Sequence, residues 1–306
     1  MNAKPTTRAS HIDRTLVIAS TTFTQLVRMK VFYFLAVFAL IAIASNFFDM
    51  PQHTGPEAMG ANVLRSIKSW SLGAMTLFSV VLAVVATALL LPKDVEDRTL
   101  YTILAKPVPR IDYLAGKLLG VLALVFVSLL VMDVLMTALL HLRTQIVLEQ
   151  QMAMADAIGY TPDARESLRA ETLAQGPTWS LQGAVLAVFL RAAVIAAVAL
   201  LVSTFSTSTL FTAVISFLVY FIGHFQADLR GAWMAGGADG EGVIARGVSL
   251  IVSLILPDFQ IFNVIDSVIE GQVIPLAVMA KLVGIGLFYS IFYTLCSWLI
   301  FAEKEF

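Results

Sequence analysis

Two ionisable side chains, Asp133 and Arg191, stand inside apolar runs long enough to cross a bilayer. A charge at that depth costs about 2.5–3.5 kcal/mol on insertion scales, so each must face a helix bundle or an aqueous cavity. At about 1.5 Å of rise per residue, a long arginine can bridge the gap that remains between them. The specific expectation is an Asp133–Arg191 ion pair; lining of a transport pathway and a purely structural lock are the alternatives. Catalytic chemistry has less to draw on. His11, His53, His141 and His224 are scattered without close metal-ligand spacing. Neither Gly-x-Ser-x-Gly nor His-Glu-x-x-His occurs. Gly116-Lys117 lacks the earlier glycine and the following Ser or Thr of a phosphate-cradling loop. The chain thus carries no nucleotide-binding loop of this kind, and no catalytic, cofactor or metal residue is assigned. Cys296 is the single cysteine, so an intramolecular disulfide is excluded.

The densest cluster of charge lies elsewhere, from Lys93 through Asp94, Glu96, Asp97, Arg98, Lys106 and Arg110 to Lys117. Asp94 to Asp97 are suited to open a short helix, with acids at its positive end, and Pro107 and Pro109 to stop it. Leu100, Ile103 and Leu104 give that helix an apolar edge. A basic loop that only sets membrane orientation needs neither the edge nor the prolines. Together they suit a handle on which a soluble partner acts.

The elements that must hold these residues are transmembrane helices. Apolar residues make up 58% of the 306-residue chain and charged residues 13%, against roughly 45–50% and about 25% in soluble domains. The net charge of -1 points to no nucleic-acid partner. Six runs read as spans: Val31–Phe48, Trp70–Leu91, Leu118–Leu142, Leu181–Val202, Thr209–Phe225 and Leu276–Phe301. Val248–Leu256 is only about half the length needed and reads as a re-entrant or interfacial piece of an outer segment covering 227–272. Residues 143–180 read as a small external helical cap, with Thr161-Pro162 as a helix start and Gly176-Pro177 as a stop. The glycines between Asp228 and Gly247 predict a mobile loop.

Ahead of the first run, residues 9–30 place Ile12, Leu16, Ala19, Phe23 and Leu26 on one helical stripe. The membrane surface is the favoured partner of that stripe, although a helix docked on the protein's own bundle has the same pattern. No cleavable signal peptide is visible, and the first span serves as the insertion signal. The basic residues of the N-terminal segment and of the 93–117 link put both in the cytoplasm, and an even number of spans puts both termini there. Trp70, Trp179 and Trp298 fall near span ends, where amphipathic rings prefer the headgroup layer. The fold class is thus an all-α, multi-pass membrane domain covering 1–306, with a charged cytoplasmic loop at 93–117.

The 93–117 stretch resembles the permease subunits of ABC-2 type ATP-binding-cassette transporters. Members typically carry an acid, a Thr-Leu pair, then Leu-x-Lys-Pro-Val-Ser-Arg, and a Gly-Lys opening the third span. Here Glu96, Thr99, Leu100, Leu104, Lys106, Pro107, Val108, Arg110, Gly116 and Lys117 follow in that order, with Arg98 where glycine is common and Pro109 where serine is usual. Leu256-Pro257-Asp258-Phe259 also looks like a Leu-Pro-Asn segment of some members. The resemblance implies a permease in the bacterial inner membrane that pairs with a second permease subunit, homo- or heterodimeric, in contact with membrane lipid. It further implies that a cytoplasmic ABC ATPase subunit, carrying ATP and Mg, grips the loop and drives alternating access, in an exporter sense. Ser203 to Thr209 would be a second contact, or an ordinary polar turn. The competing class is a membrane component of an ATPase-driven assembly or maturation complex; a membrane enzyme is a third.

Overall fold

The computed structural model describes residues 10–28, 33, 37, 41, 56–96, 108–206, 208–236 and 256–303. Among them the chain forms α1 (His11–Arg28), α2 (Pro56–Glu96), α3 (Arg110–Ile158), α4 (Pro162–Ala174), α5 (Trp179–Phe205) and α6 (Thr209–Gly236). A 3-10 turn (Phe259–Phe262), α7 (Ile265–Ile269) and α8 (Leu276–Glu303) follow. Five helical stretches, in α2, α3, α4–α5, α6 and α8, are long and apolar enough to cross a membrane. They answer to the second through sixth expected spans. The first, Val31–Phe48, lies outside the described residues except at three positions.

Helix α5 is the axis of the bundle. Ala187, Ala192, Ala193, Ala196 and Ala197 are buried along with Val188, Val194 and Ile195, and α2, α3, α6 and α8 all pack on it. Small side chains let the neighbours approach where lipid supplies no hydrophobic drive. At Gly286 of α8, an added Cβ would lie 3.1 Å from Leu190 Cδ2. Outward, the pattern of a soluble protein is inverted: Phe126, Leu130 and Val134 of α3, Leu210, Val214 and Phe221 of α6, and Phe288, Ile291 and Leu295 of α8 are exposed. Hydroxyls within the spans donate to the carbonyl four residues back, as in Thr87 to Ala83 (2.7 Å), Thr144 to Leu140 (2.7 Å) and Ser216 to Thr212 (2.7 Å). Each stays satisfied without water.

The helices outrun the apolar blocks. Helix α3 has 49 residues, about 73 Å at 1.5 Å per residue and more than twice the hydrocarbon thickness. Residues 143–158, expected to begin the external cap, are its continuation. The apolar-to-polar change marks where lipid ends, whereas the helix ends only at a breaker. That breaker is Gly159, at φ 80°, whose N–H bonds Ala155 O at 3.1 Å. The expected helix start is present, since Thr161 caps α4 and Pro162 opens it. Likewise α2 begins at Pro56, inside the expected outer link, and α6 runs through residues 228–236 of the expected mobile loop. A glycine in a helix costs only about 1 kcal/mol relative to alanine, too little to end a long apolar helix. Residues 237–255, with the apolar run 248–255, lie outside the description.

Leu256 to Gly271 folds back into the bundle between α2, α5 and α6, with Phe259, Phe262 and Val268 buried. The Asp258 side chain caps the 3-10 turn by accepting the Gln260 N–H at 3.0 Å. Gly223 of α6 makes room for this segment, because a Cβ there would lie 2.4 Å from the Pro257 carbonyl oxygen.

One face of α1 docks on α3 of the bundle; the membrane-surface reading is left for the exposed N-terminal part of its stripe. Thr22 and Leu26 are buried while Ile12, Leu16 and Val17 remain exposed. Gly116 and Gly120, one turn apart on α3, explain the seat. A Cβ at Gly116 would fall 2.7 Å from Ile18 Cβ, and one at Gly120 would fall 2.6 Å from Thr22 Cβ. No other residue permits so close a crossing.

Candidate functional site: the frame of the 97–107 segment

Helix α2 continues unbroken through Pro92 to Glu96. Asp94 and Glu96 therefore close a long helix and do not open the expected short one. A carboxylate near a helix C-terminus opposes the dipole and needs compensation. Asp94 obtains it from the helix beyond the segment: Lys117 Nζ lies 2.6 Å from Asp94 Oδ2, and the Tyr113 hydroxyl donates to the same oxygen at 2.5 Å. All three side chains are buried. Tyr113 and Lys117 are four residues apart and so share one face of α3, with the ammonium 5.6 Å from the ring centroid. The two ends of the 97–107 segment are thus bolted together in a dry setting. There, loss of one partner costs about 3–5 kcal/mol because the other charge remains buried.

Two further contacts widen the frame. Arg110, the first residue of α3, donates through Nη1 to the carbonyls of Phe301 (2.7 Å) and Ala302 (2.6 Å), satisfying acceptors that the end of α8 leaves open. The Phe301 ring stacks on Tyr113 at 6.1 Å between centroids. On the other flank, buried Asp112 meets His11 Nδ1 at 2.9 Å and Arg14 Nε at 4.0 Å, tying α1 to the start of α3. Helices α1, α2, α3 and α8 consequently meet around the base of one segment. Among the described residues no group of three His, Cys, Asp or Glu side chains could hold a metal. The arrangement is mechanical: it resists separation of its helices.

Of the residues expected here, the structure brings together Arg110, Gly116 and Lys117. Glu96 is the last residue of α2. Arg98, Thr99, Leu100, Leu104, Lys106 and Pro107 lie outside the described residues. Tyr113, Asp112 and His11 are additions, and Asp94 changes role from helix opener to anion of the frame. Ser203 and Thr204 are buried and bond Leu200 O and Leu201 O within the last turn of α5, leaving only a short polar turn before α6.

The expected Asp133–Arg191 pair does not form. Asp133 Oδ1 accepts from Gln182 Nε2 at 3.1 Å and from Thr137 Oγ1 at 3.4 Å. Arg191 stands nine residues beyond Gln182 on α5, about 13.5 Å along the axis, where its electrostatic partners are Tyr220 of α6 and Asp266 of α7. Counting depth from the apolar boundaries failed because the ends of the two runs are out of register: Asp133, nine residues inside Leu142, meets Gln182, one residue inside Leu181.

About 39 Å from Asp94 along α2, Lys68 is 2% exposed. Its ammonium donates to Gln175 Oε1 (2.6 Å) and to the Val268 carbonyl (3.2 Å). This buried cation, which is not among the site residues expected from the sequence, binds α2 to the α4–α5 turn and to α7.

The model of the family described as ABC-2 family transporter protein matches residues 16–306. The chain belongs to that family. ABC-2 permeases are the membrane components of ABC transporters, and nucleotide-binding activity lies in a separate subunit. No curated protein matches the chain. The match begins within α1, so the helix seated on Gly116 and Gly120 falls largely inside the ABC-2 permease unit.

Proposed function

We propose that this ABC-2 permease moves substrate across the bacterial inner membrane, outward, by alternating access driven through the 97–107 segment. The observation that carries the reading is the buried Asp94–Lys117–Tyr113 lock, which makes both ends of that segment one rigid body. A loop that only sets orientation has no need of a buried ion pair at its base. A push on the segment would pass into α2 and α3 together, and through Arg110 into α8.

In this reading Glu96, Arg98, Thr99, Leu100, Leu104, Lys106 and Pro107 form the surface met by a cytoplasmic ABC ATPase, which holds ATP and Mg. Both termini lie on the same side, and a second permease subunit completes the pathway within the lipid bilayer.

The test is purification of the full chain from its native membrane. A soluble ATPase should accompany it, and its basal turnover should change several-fold with Glu96→Lys or Lys106→Glu. Absence of an ATPase would reject the reading. Retention of coupled turnover without uptake into inverted vesicles would move the protein to the assembly or maturation class.

A further inference from the structure

Asp133 opens into a groove of about 410 Å³ between α3 and the start of α5, lined also by Thr137, Ala138, His141, Pro177 and Gln182. That volume falls within the range of about 300–1,000 Å³ typical of small-molecule sites. Gln182 lies one turn inside Trp179, which is 90% exposed and marks the headgroup layer. Lys117, in the frame at the other end, is sixteen residues or about 24 Å away along α3. The groove therefore sits in the half of the bundle remote from the 97–107 segment, within the apolar stretch of α3, with His141 two turns further along that helix.

Both bonds to the Asp133 carboxylate go to Oδ1. Among the described residues Oδ2 receives no donor and no basic side chain lies within ion-pair distance of either oxygen. Gln182 and Thr137 are neutral, so they orient the carboxylate without neutralising it. A carboxylate at that depth needs a cation, and the apolar walls from Val134, Ala138 and Pro177 need an apolar body beside it.

We propose that this groove binds a cationic amphiphile, its ammonium on Asp133 Oδ2 and its alkyl or aryl part along α3. The identification of this ligand as cargo rests on the permease reading; the binding site does not. The test accordingly uses the full chain alone in dodecyl maltoside micelles, without nucleotide or ATPase, and measures equilibrium binding of radiolabelled dodecyltrimethylammonium.

Saturable binding is expected, with at least tenfold preference over dodecanol and dodecyl sulfate. Asp133→Asn should weaken it at least tenfold and Asp133→Glu should restore most of the loss. Ala138→Trp, which fills the groove while leaving the Asp133 bonds in place, should abolish it and decides the matter if Asp133→Asn does not fold. Equal affinity for the neutral or anionic chain, or indifference to Asp133→Asn and Ala138→Trp, would overturn the proposal. So would displacement by phosphatidylethanolamine at equal concentration, which would assign the groove to bulk lipid.

Discussion

Lys117 reaches across the base of the 97–107 segment to Asp94 at 2.6 Å, with both side chains buried. This contact explains the spacing of the Gly-Lys pair at 116 and 117. Gly116 faces α1 and permits its close approach, while Lys117 faces α2 and neutralises its terminal carboxylate. Adjacent residues on a helix point about 100° apart, so one dipeptide joins two different neighbours.

The pair yields a double-mutant prediction. Asp94→Asn or Lys117→Met alone should destabilise the protein by about 3–5 kcal/mol, because each removes one partner of a buried ion pair. The combined variant should lose much less than the sum. Unfolding in detergent, followed by denaturant and corrected for the Tyr113 bond, measures the cycle.

Replacement of Gly116 or Gly120 by valine should displace α1, since each Cβ would fall within 2.7 Å of an α1 side-chain atom. Overpacking of this kind costs about 1–3 kcal/mol. Trypsin cleavage after Arg14 should accelerate at least several-fold in both variants, whereas valine at Gly284, where a Cβ meets nothing within 4 Å, should leave it unchanged.

Arg110→Lys removes the guanidinium that holds the Phe301 and Ala302 carbonyls, and an ammonium does not reproduce that geometry. The last turn of α8 should exchange its amide hydrogens about tenfold faster, corresponding to about 1.4 kcal/mol. Mid-helix amides of α8 should be unaffected.

Lys68 has only neutral partners, so its burial is a cost that a similar apolar side chain avoids. Lys68→Met removes that cost but strips Gln175 Oε1 and the Val268 carbonyl of a donor, so thermal unfolding should show a smaller change than for Gln175→Ala. Gln175→Ala, which strips the ammonium of its shortest bond, should destabilise by about 2–3 kcal/mol.

Much of the fold was legible from periodicity and composition. The five long apolar helices begin or end near the expected blocks, Thr161-Pro162 starts a helix, and the Glu96 to Lys117 pattern pointed to the family. Helix ends were less legible because hydropathy reports the lipid boundary: α3 continues for sixteen residues past Leu142 until Gly159. Side-chain partners were the least legible. Arg110 and Phe301 are 191 positions apart, and nothing in local sequence joins them. Asp133 met Gln182 and not Arg191 because the register of α3 against α5 is decided by packing. The seat of α1 on α3 was not visible in its own stripe and rests on the contacts of Gly116 and Gly120.

The most direct test of the account is photocrosslinking from a benzoylphenylalanine placed at Leu104, compared with one at Trp179, in membranes that contain the partner ATPase. The account predicts an adduct with the ATPase from position 104, changed in yield by ATP, and none from position 179. No ATPase adduct from position 104, or one formed from position 179 instead, would contradict it.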